Sequence, residues 1–80
     1  MIRAEIESRL TDVMRDFFEL PQLEIDPSMT ASQVEGWDSI AHVGLIVAVE
    51  KTFALRFTTR EVKSLHTVGD LCAVLERRTG

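Results

Sequence analysis

The sequence is short of most of what chemistry on a protein requires. Its 80 residues contain one cysteine, so neither an internal disulfide nor a cysteine zinc cage can be assembled, and nothing points to an oxidising compartment. Positive charge is scarce as well. Nine Lys and Arg against thirteen Asp and Glu leave a formal net charge of -4, the wrong sign for a surface that tracks a phosphate backbone. The longest apolar run, Val43 to Val49, stops at Glu50, well short of the roughly 20 residues that a membrane-spanning helix needs. At the N-terminus Arg3, Glu5, Glu7 and Arg9 interleave charges where a secretory leader is apolar. There is no glycine-rich phosphate loop, no cluster of metal-ligating side chains and no nucleophile–base pairing.

The length allows one domain, residues 1–80. A chain of this size buries only about 60% of its unfolded surface, and a catalytic cavity of several hundred Å³ would consume most of such a core. The expectation is a non-enzymatic, cytoplasmic, monomeric domain without nucleic-acid binding or membrane insertion. An apolar content of 45% is too high for a disordered segment. The charge is unevenly spread: residues 1–40 carry three bases against nine acids, and residues 41–80 carry six against four. An acidic front half suits a partner with basic patches, although the same charge also serves solubility.

Ile2, Ile6, Leu10, Val13 and Phe17 recur at helical intervals, with charges on the other faces, which predicts a first helix from about Arg3 to Phe18. Glu19 to Trp37 holds Pro21, Pro27 and Gly36 and has no sustained period. Asp26-Pro27 reads as a turn or the start of one helical turn, and Leu20, Leu23, Ile25, Met29 and Val34 as pins to the core. A loop this long in so small a domain is read as ordered and functional. Asp38 is a good N-cap for a second helix reaching Phe53. One stripe of that helix is His42, Leu45, Ile46, Val49 and Phe53; another is Ile40, Val43 and Val47. Eighty residues cannot easily cover both, so the second stripe is expected to face a partner. Thr58 with Glu61, and Thr67 with Asp70, have capping-box spacing. They predict a short third helix ending near Ser64 and a last helix to about Arg77, in which Val68, Leu71, Cys72 and Leu75 share a face. The fold class is an all-α four-helix bundle.

His42 and His66 lack partner ligands, and Cys72 reads as a small core residue. Glu5, Glu7, Asp12 and Asp16 read as solvated helix surface. Ser39 stands apart because it opens a helix at the mouth of the long loop. It is either a plain cap, or a hydroxyl whose phosphate ester would sit at the positive end of a helix dipole.

Gly36-Trp37-Asp38-Ser39-Ile40, followed by an apolar helix and Glu50-Lys51-Thr52-Phe53, resembles the acyl carrier proteins. Their signature is Asp-Ser-Leu at the start of helix II, and the likeness extends over the helix order to Thr67-Val68-Gly69-Asp70-Leu71. The resemblance implies that a phosphopantetheinyl transferase attaches 4'-phosphopantetheine to Ser39, whose arm then holds an acyl group as a thioester. It implies that Asp38 caps the helix and aids recognition, that Ile40, Val43 and Val47 face partner enzymes, and that Leu45, Ile46, Val49 and Phe53 face the core. Those partners would be acyl-activating, ketosynthase or acyltransferase enzymes.

Two departures qualify the likeness. Ile40 replaces the usual Leu, a near-isosteric change. Ala41 and Gly44 stand where fatty-acid carriers often place acids, and Lys51 follows Glu50, so docking to basic patches should rest on Glu35, Asp38 and Glu50. That pattern fits a discrete carrier of a specialised fatty-acid or polyketide-type pathway, a chain that starts at Met1 without flanking linkers. The alternatives are an aminoacyl carrier (D-alanyl carriers share Trp-Asp-Ser; peptidyl carriers more often show Gly-Gly-His-Ser), and a helical interaction module with no prosthetic group.

Overall fold

A computed structural model describes residues Met1–Thr79 as four helices: α1 (Arg3–Phe17), α2 (Ser39–Phe53), α3 (Thr59–Lys63) and α4 (Val68–Thr79). One 3-10 turn, Ala31–Gln33, interrupts the connection between α1 and α2. Among the described residues there is no strand, only an isolated antiparallel bridge between Thr30 and Thr67. The architecture is the all-α bundle expected, with its short third helix and long first connection.

In α1, Ile6, Leu10 and Met14 follow one another at four-residue intervals and are fully buried, while Val13 and Phe17 flank them half-buried. Ile2 does not belong to this stripe. It is the N-cap residue in extended backbone and is 72% exposed, so the periodicity begins only after it. Helix α1 packs against both α2 and α4. The first contributes Leu45, Ile46, Val49 and Phe53 to the core, the second Val68, Leu71, Cys72 and Leu75. Each such side chain stabilises the fold by about 1.5–3 kcal/mol on burial. The Arg3–Glu76 ion pair, 3.5 Å apart and well exposed on both sides, adds less than about 1 kcal/mol. Packing therefore sets the fold and surface charge decorates it.

The long connection is held by backbone contacts. Arg15 Nε donates to the carbonyl of Leu23 at 2.6 Å. Asp26-Pro27 does not start a helix: the Ser28 N–H and hydroxyl both donate to Asp26 Oδ1, and the Met29 N–H returns to the Asp26 carbonyl at 2.9 Å, closing a turn. The carbonyls that follow are then put to use at α4. The Val68 N–H donates to Met29 O at 2.9 Å and the Gly69 N–H to Pro27 O at 2.8 Å, which satisfies two N–H groups that a helix start leaves unpaired. A Cβ at Gly69 would lie 2.8 Å from that Pro27 oxygen, so the approach requires glycine. Leu20, Leu23, Ile25 and Met29 pack half-buried on the core, and Val34 and Trp37 are buried in it.

Helices α3 and α4 begin as their capping boxes predict. The Thr58 N–H and Glu61 carboxylate, and the Glu61 N–H and Thr58 hydroxyl, pair at 2.9 and 3.1 Å. Thr67 and Asp70 exchange the same two bonds, each at 3.1 Å. Helix α4 runs two residues past Arg77, to Thr79.

Candidate functional site

The site is built where the long connection enters α2. Gly36, at φ +89°, makes a turn that favours glycine. The Trp37 N–H donates to Val34 O and the Asp38 N–H to Gly36 O, each at 3.2 Å, so the chain arrives at the helix through consecutive short turns. Asp38 Oδ1 accepts the Ala41 N–H at 2.7 Å, and the Asp38 carbonyl accepts the first intrahelical bond from His42 at 2.9 Å. The cap is therefore Asp38. Ser39 is the first residue of the helix, it is exposed, and the capping duty that would have turned its hydroxyl onto the backbone belongs to its neighbour.

Trp37 and His42, which flank Ser39 in the chain, belong to a set of rings that the sequence pattern did not announce. Trp37 is buried against Phe18, with ring centroids 5.9 Å apart, and stacks on His42 at 6.0 Å and 17°. Its indole Nε1–H donates to His42 Nδ1 at 3.1 Å. The only trace of this pair in the sequence is the five-residue spacing. His42 lies half-buried on the inward side of α2, as its stripe predicted.

The two stripes of α2 separate as their spacing suggests. Leu45, Ile46, Val49 and Phe53 are buried, while Ile40, Val43 and Val47 are 83, 63 and 43% exposed on the side that also carries Ser39. Glu35 is exposed in the connection. Glu50 is half-buried, and its Oε2 accepts the Phe57 N–H at 2.7 Å, which gives this carboxylate a structural task at the α2–α3 turn. Past Val47, the residues Glu50, Lys51, Ala54, Leu55 and Arg56 line a shallow depression whose cations reverse the sign found around Ser39. Cys72 is buried and burial pushes its thiol above the ordinary value, so it is protonated and shielded. Among the described residues no group of side chains could hold a metal ion, and no helix is long and apolar enough to cross a membrane.

Residues 8–75 match the family model described as the phosphopantetheine attachment site. The chain belongs to that family of phosphopantetheine-binding carrier domains. Within it the likeness is to acyl carrier proteins. The chain is 31% identical over 68 residues to the acyl carrier protein of Acidothermus cellulolyticus, which covers 85% of this chain and 81% of that one. It also superimposes on the solution structure of the holo acyl carrier protein from Geobacter metallireducens. That match has a TM-score of 0.85 and 27% identity, over 91% of this chain and 84% of the other. The protein is thus a carrier and not an enzyme, and its prosthetic group is phosphopantetheine.

The residues at the start of α2 fit such a group. A phosphodiester on the first helical residue would lie beside the helix's open N–H groups and its positive dipole end. With the Ala41 N–H engaged by Asp38, the N–H groups of Ser39 and Ile40 stay available to an anion.

Proposed function

We propose that Ser39 is the residue to which the prosthetic group is attached, and that the protein carries acyl intermediates for partner enzymes. The observation that carries this reading is the division of labour at the helix start: Asp38 supplies the cap, and Ser39 is left exposed at the first helical position. When bound, 4'-phosphopantetheine supplies a terminal thiol that holds an acyl group as a thioester. The chain's own residues do the rest. Asp38 and the buried Trp37 hold the helix start in place, the Ser39 hydroxyl is offered to a phosphopantetheinyl transferase, and Ile40, Val43 and Val47 form an apolar landing face beside it.

The carrier is assigned to a specialised fatty-acid or polyketide-type pathway in the cytoplasm, served by acyl-activating, ketosynthase or acyltransferase partners. Ala41 and Gly44 leave the front of α2 without acids and Lys51 adds a cation, so Glu35, Asp38 and Glu50 carry the acidic contribution to docking, the last two each with one carboxylate oxygen held by a backbone N–H.

Loading tests this assignment. The holo protein, prepared with coenzyme A and a broad-specificity transferase, is offered to acyl- and amino-acid-activating enzymes from the same gene neighbourhood, and the products are weighed. Acyl transfer is expected; loading with an amino acid alone would overturn the acyl assignment. Val47→Glu should fold normally and impair transfer to a partner, because that side chain meets solvent. A variant that unfolds, or transfers at the wild-type rate, counts against the landing face.

A further inference from the structure

We propose that His42 is a positioning residue for Ser39, acting through the hydrogen bond it accepts from Trp37. The proposal rests on the attachment reading above and adds to it a side chain that sits neither at the hydroxyl nor on the landing face. Trp37 lies two residues before Ser39 and His42 three residues after it. The 3.1 Å bond between them therefore closes a ring of chain around the serine and ties the incoming loop to the first turn of α2.

The physical need for the bond is plain. The Trp37 side chain is buried down to 9% exposure and its bond to His42 is part-buried, so leaving the indole N–H there without an acceptor is costly. His42 Nδ1 provides it, and doing so requires a lone pair on that nitrogen. Without the acceptor the indole must turn toward water, and the backbone it drags is the one that delivers Asp38 and Ser39. The other restraints on this segment are the turns from Trp37 N–H to Val34 O and Asp38 N–H to Gly36 O and the cap that Asp38 makes to Ala41 and His42; all of these act through the backbone or through Asp38, and none of them holds the indole. The ring contacts of Trp37, tilted on Phe18 and stacked on His42, set the depth of the indole, whereas the hydrogen bond sets its rotation.

Three variants separate the bond from the ring. His42→Asn keeps an acceptor near the place of Nδ1, His42→Phe keeps a ring without an acceptor, and Trp37→Phe removes the donor. The full-length apo protein is assayed for transfer of phosphopantetheine by a broad-specificity transferase, with kcat and KM taken separately. The single indole N–H resonance of the one tryptophan is followed by NMR.

His42→Phe is expected to shift that resonance and to lower kcat/KM about three- to tenfold at a temperature where it is folded, the range one net hydrogen bond commands. His42→Asn should recover most of the rate. Should His42→Phe not fold, Trp37→Phe, which has no indole to follow, carries the same expectation for kcat/KM. Wild-type rates in His42→Phe or Trp37→Phe, an unmoved indole resonance in His42→Phe, or a His42→Asn variant as slow as His42→Phe would each overturn the positioning role. A wild-type chain that accepts no group at all overturns the attachment reading instead.

Discussion

Replacing Asp38 by alanine probes the helix start most sharply. The substitution removes the acceptor of the 2.7 Å bond from the Ala41 N–H and the negative charge at the positive end of α2. Loss of such a cap costs about 1 kcal/mol, within a range of about 0.5–2. In a domain of this size each kcal/mol lowers Tm by about 4–8 °C, so a fall of that order is expected in a thermal scan followed by circular dichroism. Asp38→Asn retains the oxygen and loses only the charge, whose contribution at a helix end is about 0.3–1 kcal/mol, so its Tm should fall by half as much or less. The functional consequence is separate. With alanine at position 38 the nearest hydroxyl able to cap α2 is that of Ser39, and a serine turned onto the backbone is a poor acceptor of a prosthetic group. Transfer measured by intact mass at 25 °C, where both variants stay folded, should therefore drop further for Asp38→Ala than for Asp38→Asn. Equal stability of Asp38→Ala and wild type, or identical losses in the two variants, would refute the capping geometry.

Further expectations concern the fold. Leu45→Ala should cost about 2–5 kcal/mol in a urea titration, since the side chain is fully buried, whereas the exposed Val43→Ala should stay within about 0.5 kcal/mol; similar values would mean the two faces of α2 are misassigned. Ala54 ends α2 at φ +55°, where a Cβ is strained, so Ala54→Gly should raise stability by about 0.5–1 kcal/mol after the added freedom of the unfolded chain is counted; a clear loss would contradict this. The carboxyls of Asp26, Glu61 and Asp70 are held below their usual range. The leading causes are the Ser28 hydroxyl for Asp26, the Thr58 N–H for Glu61 and the His66 N–H for Asp70. Lowered folded-state values mean that these contributions are present above the ordinary carboxylate range and fade as pH falls through and below it. The urea midpoint should accordingly drop between about pH 5 and pH 3, and Asp70→Asn should flatten that slope; a midpoint independent of acid would rule the argument out.

What the sequence made legible was whatever local chemistry decides. The intervals of Ile6 and Leu10, the cap at Asp38 and the boxes at Thr58–Glu61 and Thr67–Asp70 all act within a few residues, and each is where the spacing put it. Ile2 misled because an apolar residue one step ahead of a helix continues the period without sharing its geometry. The two left-handed helix ends fall on Glu19 and Ala54 rather than on glycine, so no residue type marked them. The long connection was legible as ordered, but its fastenings were not. Pro27 and Met29 hold α4 through backbone carbonyls, which leave no side-chain signature, and Arg15 reaches Leu23 across a bend that periodicity does not encode. At the candidate site Ser39 and its exposed neighbours were readable from helix phase. The Trp37–His42 bond and the engagement of Glu50 by Phe57 were not, because both depend on how the chain turns before and after α2.

The central claim is that Ser39 alone receives the prosthetic group. Its most direct test is fragmentation mass spectrometry of the wild-type protein and of Ser39→Ala after incubation with coenzyme A and a transferase. The account predicts one phosphopantetheine per wild-type chain, located on Ser39, and none on a Ser39→Ala variant with unchanged circular dichroism. A group found on any other hydroxyl, or an unmodified and well-folded wild-type chain, would contradict it.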